Sequence, residues 1–284
     1  MSKAPDGVDP DQLNTTARKV LLDGLEALAP HRTAITLIGA QAVYLRTTQA
    51  AIRSAAYTSD GDLALDPDLL GDEPLINEAL AEAGFTLRDP NQPGLWVRTE
   101  VVADREVEVE LDILAGDSLA QGGRAARIPP HGKMSAKKVP GIEVAVVDRA
   151  PMLVRSLASD DPRSVEVHVA GPVALLVAKA FKIRDRLSDA ARNRPDRLVN
   201  KDASDVLRIM MSVRAKEVAS SFAALIRDPR VGEVATEGLA LLRALFGGAD
   251  TPGVRMAVEA LAGDLNAERI RALAPAYIRS LDEV

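Results

Sequence analysis

Between Arg105 and Asp112 the chain reads Arg-Glu-Val-Glu-Val-Glu-Leu-Asp, with acidic and apolar residues in almost strict alternation. Side chains alternate across a strand with period 2, so this stretch predicts a half-buried strand with one apolar and one acidic face. Asp112 continues the acidic face, inside Val109-Glu110-Leu111-Asp112-Ile113-Leu114. A strand of this kind needs a sheet to join and a layer to cover its apolar side, which points to a fold of mixed helices and strands.

Upstream of it lies Thr58-Ser59-Asp60-Gly61-Asp62-Leu63, about twenty residues after Leu37-Ile38-Gly39-Ala40. On an extended segment Asp60 and Asp62 share one face. Asp112 on a neighbouring strand completes an all-oxygen set of the kind that holds Mg²⁺. In two-metal phosphoryl or nucleotidyl transfer, two ions roughly 4 Å apart stabilise the attacking and leaving oxygens. Gly39, at the end of Ile35–Ile38, lets backbone amides and the start of the next helix approach a polyphosphate.

The remaining pattern supports an α/β (α+β) chain with its strands first and its helices last. Helices are expected at Gln12–Leu28, Ala40–Thr48 and Glu73–Ala83. Strands are expected at Ile35–Ile38, Asp62–Leu65, Phe85–Leu87, Gly94–Thr99, Glu106–Leu114, Val144–Val147 and Val165–Val169. Gly171-Pro172 opens a helix, and six are expected at 172–187, 199–212, 214–227, 233–246, 252–263 and 267–281. This divides the chain into a core domain, 1–170, and a helical domain, 171–284. The first helical segment carries Lys179, Lys182 and Arg186 at helical spacing, and Lys201-Asp202-Ala203-Ser204-Asp205 follows in the next. A basic stripe of this kind can hold a triphosphate, with Asp202 or Asp205 orienting the lysine.

Charge is unevenly distributed. Residues 1–116 hold 20 Asp+Glu against 9 Lys+Arg, and residues 117–284 hold 21 against 26. From 121 to 140 there is no acid, while Arg124, Arg127, Lys133, Lys137 and Lys138 fall within that stretch. An acidic half joined to a basic half suits a metal-dependent site for a nucleotide or RNA. The chain has no cysteine, which excludes disulfides, thiolate metal sites and cysteine nucleophiles and fits a cytoplasmic protein. No segment approaches the apolar length needed to span a bilayer, and the first residues lack the apolar stretch of a secretory signal. His31, His131 and His168 lack metal-ligand spacing and are read as structural or solvated. Trp96 is read as a core residue.

Gly39-Ala40, Asp60-Gly61-Asp62, Val177-Ala178-Lys179 and Lys201-Asp202-Ala203-Ser204-Asp205 together resemble the DNA polymerase β-like nucleotidyltransferase superfamily. Within it they resemble specifically the AbiEii/MenT-type nucleotidyltransferase toxins of bacterial toxin–antitoxin systems. The resemblance spans about residues 39 to 205. It implies a polymerase β-like core with a mixed sheet, an appended helical domain, and Mg²⁺-dependent transfer of a nucleotide from an NTP to RNA, often tRNA, or to a protein. In those terms Asp60, Asp62 and Asp112 bind two Mg²⁺ ions, with Lys179 and Asp202 completing the catalytic set. Gly39, Ala40, Ser59, Lys182 and Arg186 contact the nucleotide, and a separately encoded antitoxin is a possible partner. Ala40 stands where a second Gly or Ser is commoner, and Gly61 where a bulky apolar residue is usual. The arginine often found just before the Asp pair is missing, leaving Arg53 as the nearest candidate. Transfer to a small molecule and a non-catalytic nucleotide-binding module are the alternatives.

Overall fold

Helix α1 (Pro10–Ala27) is capped by Asp9, whose carboxylate accepts the Asp11 N–H at 3.0 Å, with Pro10 in the first turn. Its stripe of Leu13, Ala17, Val20, Leu21 and Leu25 lies against one face of the sheet. Two glycines allow that close approach. A Cβ on Gly24 would press into Leu111, and one on Gly61 would come within 3.2 Å of both Leu21 and Leu111. The computed structural model describes residues 9–48, 52, 58–192 and 200–281.

Among the described residues eight strands form one sheet: β1 (Ile35–Ile38), β2 (Asp60–Leu65), β3 (Thr86–Leu87), β4 (Leu95–Val102), β5 (Arg105–Gly116), β6 (Lys137–Val139), β7 (Arg149–Arg155) and β8 (Ser164–Ala170). Their order is β3-β4-β5-β2-β1-β8-β7, with β6 paired to β5. The sheet is mixed: β2 runs parallel to β5 and β1 parallel to β8, whereas β1/β2, β4/β5 and β7/β8 are antiparallel. The expected α/β class with a mixed sheet is therefore present. The β4–β5 hairpin turns through Ala103 and Asp104, both at positive φ (51° and 61°), the backbone of a tight primed turn.

The remaining helices are α2 (Gly39–Arg46), α3 (Ile76–Glu82), α4 (Pro172–Ala191), α5 (Lys201–Ser212), α6 (Ala215–Leu225), α7 (Gly232–Phe246), α8 (Pro252–Ala260) and α9 (Ala267–Leu281). All six helices expected after residue 171 are present. Among the described residues none is long and apolar enough to cross a membrane. Asp148 caps α4 from outside the helix, its Oδ2 accepting the Ala174 N–H at 2.8 Å. One continuous cluster of buried residues runs from Ala17 to Leu281, so the strand-rich and helical parts share a core.

Two expectations differ from the structure. Val144–Val147 is not extended: Glu143–Val146 is a 3₁₀ turn, and the strand comes after it, at β7. Pro151 lies within β7 and weakens its strand signal, yet an edge position tolerates it because the ladder needs no N–H on the open side. The helix expected from Glu73 begins only at Ile76, because Pro74 disfavours helical backbone at the residue before it and Leu75 is extended (ψ 132°). His31 and His131, read as structural or solvated, are structural and lie together. They meet edge to face with ring centroids 5.4 Å apart, and both are buried.

That histidine pair secures the β2–α3 connection. His31 Nε2 pairs with the Pro74 carbonyl at 2.7 Å and His131 Nε2 with the Gly71 carbonyl at 2.9 Å, while His131 Nδ1 accepts the Ile76 N–H at 3.3 Å. Burial lowers the His131 pKa below its ordinary 6.5; His31 adds to this, and the Gly71 bond, Asp72 and Glu73 oppose it. The unfolded chain thus binds a proton that the folded His131 resists. Its contribution to stability is complete above pH 6.5 and falls as the pH drops through that value toward the folded pKa. Urea unfolding at pH 7.5 and pH 5 isolates this term as a difference: the stability advantage of wild type over His131→Gln should shrink at the lower pH.

A second tie joins the far end of β2 to the helical part. Asp66, buried, accepts two bonds from Arg230, at 2.6 and 3.1 Å. Arg230→Ala leaves that carboxylate without its cation and should cost about 1–3 kcal/mol in urea unfolding.

Candidate functional site

The local packing of β2 decides where its acids point. Gly61 faces α1, so by alternation Asp60 and Asp62 face the opposite side of the sheet, toward α2, α4 and α5. On the parallel neighbour β5, Glu110 sits opposite Asp60, and Asp112 opposite Asp62. Four carboxylates therefore form a two-by-two array on adjacent strands, gathering the three acids singled out in the sequence and adding Glu110. The alternation of β5 already carried the signal for Glu110, since it shares a face with Asp112 two residues away.

Gly39 opens α2 at φ +70°, a conformation that favours glycine. A Cβ there would overlap the Asp62 carboxylate, so the start of α2 packs directly on the acid pair. No side chain caps this helix, and Ala40 is buried in its first turn. Ser59, half-buried, precedes Asp60 at the strand entrance, and Thr58 Oγ1 donates to Asp60 Oδ1. Arg53 lies outside the described residues.

Crowded, partly buried carboxylates resist ionisation. Burial and then the charge of Asp60 push Asp62 up to about 6, although Lys182, Lys179 and Lys201 pull the other way. Burial, then Asp62, Glu110 and Asp60, push Asp112 up to about 8, with Lys137 opposing. Glu110 is also raised, chiefly by burial, despite its ion pair with Arg88. Asp112 Oδ1 is buried with no hydrogen-bond partner among the described residues.

Among the described residues, no group of three or more His, Asp or Glu side chains is placed so as to hold a metal ion. The chemistry of the array nevertheless fits a hard divalent cation. Its donors are all oxygen, its charges repel one another, and one oxygen is buried without a partner.

Opposite the acids stand α4 and α5. Lys179 Nζ donates to Asp202 Oδ1 at 2.8 Å and to Asp205 Oδ2 at 2.7 Å, with all three residues buried. Burial alone would lower the Lys179 pKa, but the two carboxylates outweigh it and raise it. Burial would likewise raise Asp202, yet Lys179, Lys182 and Arg186 hold it well below the usual carboxylate range. Asp202 also pairs with Arg186 and lies 3.8 Å from Lys182 Nζ. The two acids left open in the sequence thus divide: Asp202 links three cations, whereas Asp205 pairs with Lys179. Lys179 is the counter-ion of two buried carboxylates, so the half-exposed Lys182 is better placed to meet a phosphate. Lys201 and Arg208 lie over the ring of Tyr44, 5.8 and 5.6 Å from its centroid, a grouping with no motif to mark it.

The acid-free stretch is folded back on itself. Gln121 pairs with Arg127 and Ala125 with Lys137, and Lys138 bonds the Gly122 carbonyl at 3.3 Å. Arg124, Arg127 and Lys133 remain exposed, and the charge of Lys137 reaches Asp112. A surface depression of about 390 Å³, lined by Pro67, Leu119 and Arg127 among others, lies beyond the other end of β2 and includes none of the expected site residues. Trp96 is buried and donates to the Ser135 carbonyl, as a core residue should.

Comparison of the chain with family models, with curated proteins and with solved structures finds no match.

Proposed function

We propose that this chain is an Mg²⁺- and NTP-dependent nucleotidyltransferase of the polymerase β-like type, akin to the AbiEii/MenT toxins, acting on an RNA hydroxyl such as that of tRNA. The observation that carries this reading is the pairing of Asp62 with Asp112 on adjacent strands, packed against Gly39 and faced by Lys179, Lys182 and Lys201. Asp60, Asp62 and Asp112 are the residues that would hold two Mg²⁺ ions, which when bound neutralise developing charge on the reacting phosphate.

In the proposed reaction the acceptor hydroxyl attacks the NTP α-phosphorus, a new P–O bond forms, and the bond to the β-phosphate breaks to release pyrophosphate. Asp112, as one of the residues that would hold the second ion, would favour loss of the hydroxyl proton. The uncapped first turn of α2 offers N–H groups to phosphate oxygens. Lys182 and Lys201 balance triphosphate charge, while Asp202 and Asp205 hold Lys179 in place. The exposed arginines and lysines of 121–140 would guide an RNA backbone, with affinity that falls as salt rises.

Pyrophosphate release tests this directly. Each NTP is incubated with Mg²⁺ and either total tRNA, a protein mixture or a panel of small hydroxyl compounds. RNA-dependent release supports the reading, release only with proteins or small molecules changes the acceptor, and NTP binding without release identifies a non-catalytic module.

A further inference from the structure

Arg18 projects from α1 into the interior and is 6% exposed. Its Nε donates to Gln41 Oε1 at 2.6 Å and its Nη1 to the Arg155 carbonyl at 2.9 Å. The Gln41 amide then donates through Nε2 to the Asp60 carbonyl at 3.1 Å. No carboxylate pairs with Arg18 among the described residues, and burial lowers its pKa. A buried cation without a counter-ion is costly, and apolar packing would fill the same space more cheaply.

What the arrangement provides is direction. Because the guanidinium can only donate, it fixes which end of the Gln41 amide faces it and leaves the NH₂ toward β2. Gln41 lies in the first turn of α2, two residues after Gly39, and the bond it makes is to the first residue of the acid pair. We infer that Arg18 and Gln41 are positioning residues that set the spacing between the start of α2 and the Asp60–Asp62 carboxylates, and so the geometry in which those carboxylates meet a cation. This rests on the proposed reading of the carboxylates as a metal site. It adds two residues that no motif marks.

Gln41→Glu separates positioning from ordinary core packing. Glu still accepts from Arg18, now as an ion pair, but it has no donor for the Asp60 carbonyl and sets a charge beside it. Three readings on the full chain decide the matter: urea unfolding, hydrogen–deuterium exchange of residues 58–65, and Mn²⁺ binding followed by the EPR signal of the free ion. The positioning role predicts unchanged or higher global stability, exchange in 58–65 faster by about tenfold, and Mn²⁺ affinity weaker by about tenfold. Arg18→Lys, which keeps the charge but not the planar donor geometry, should shift exchange and affinity in the same direction. Global destabilisation with unchanged exchange at 58–65 would overturn the inference. If wild-type protein binds no Mn²⁺, the metal reading of the carboxylates fails. The exchange data alone then decide whether Arg18 and Gln41 hold β2 against α2.

Discussion

Asp112→Asn is expected to yield a more stable protein in which the proposed nucleotide transfer falls steeply. Asp112 carries the most strongly raised carboxyl of the array, about 8, through burial and the charges of Asp62, Glu110 and Asp60. The folded state therefore binds a proton that the unfolded chain releases above its ordinary value of 3.8. Stability consequently falls as the pH rises from about 4 to about 8. An amide in place of the carboxyl removes that dependence, and should add about 0.5–2 kcal/mol at neutral pH, the usual size of a relieved functional strain. Loss of one proposed metal ligand should reduce transfer by roughly 10³-fold, equivalent to about 4 kcal/mol of barrier. Thermal unfolding at pH 5 and pH 8 checks the first part: wild type and variant should differ more at pH 8.

Lys179→Met should have the largest effect on folding. It removes the cation bonded to Asp205 Oδ2 and leaves Asp202 with Lys182 and Arg186, both at a surface-facing edge. Breaking a buried pair from one side typically costs about 3–5 kcal/mol, because the remaining charge stays desolvated. Removing the acid as well, in Lys179→Met with Asp205→Leu, should recover part of the loss. The pH dependence follows from the directions of the shifts. Asp202 is lowered, so its contribution is present above 3.8 and lost as the pH falls through its folded value. Lys179 is raised, so its contribution is present below 10.5 and lost as the pH rises through its folded value. Urea denaturation of both variants at pH 7 measures the cost and its recovery.

Much of the acid array was legible in the chain because alternation is a local signal. The run Arg105 to Asp112 announced a strand with one acidic face, and Asp60-Gly61-Asp62 placed two carboxylates together once that segment was extended. Their convergence required a sheet register, Asp62 beside Asp112, that no local pattern encodes. The terminal helices were legible for the same reason as the strands: their apolar residues recur at helical spacing, and Gly or Pro separates several of them.

Other features depend on residues far apart in sequence. Arg18 and Gln41 are 23 residues apart, and each looks ordinary in its own helix. His31 and His131 meet across a hundred residues, and Asp66 finds Arg230 at a separation of 164. The sequence set Asp202 or Asp205 against Lys179, but that both acids bond it at once emerges only when α4 and α5 pack together. Gly61, standing where the motif usually carries a bulky apolar residue, allows α1 to lie close to β2.

The central claim is that Asp60, Asp62 and Asp112 serve nucleotidyl transfer. It is tested most directly by incubating wild-type protein and Asp60→Ala with Mg²⁺, each α-³²P-labelled NTP and total tRNA, then resolving RNA and protein on one denaturing gel. Label in RNA with the folded wild type and none with a folded Asp60→Ala is the predicted result. Equal labelling by both proteins would contradict it, and no label in RNA with any NTP would contradict RNA as the acceptor.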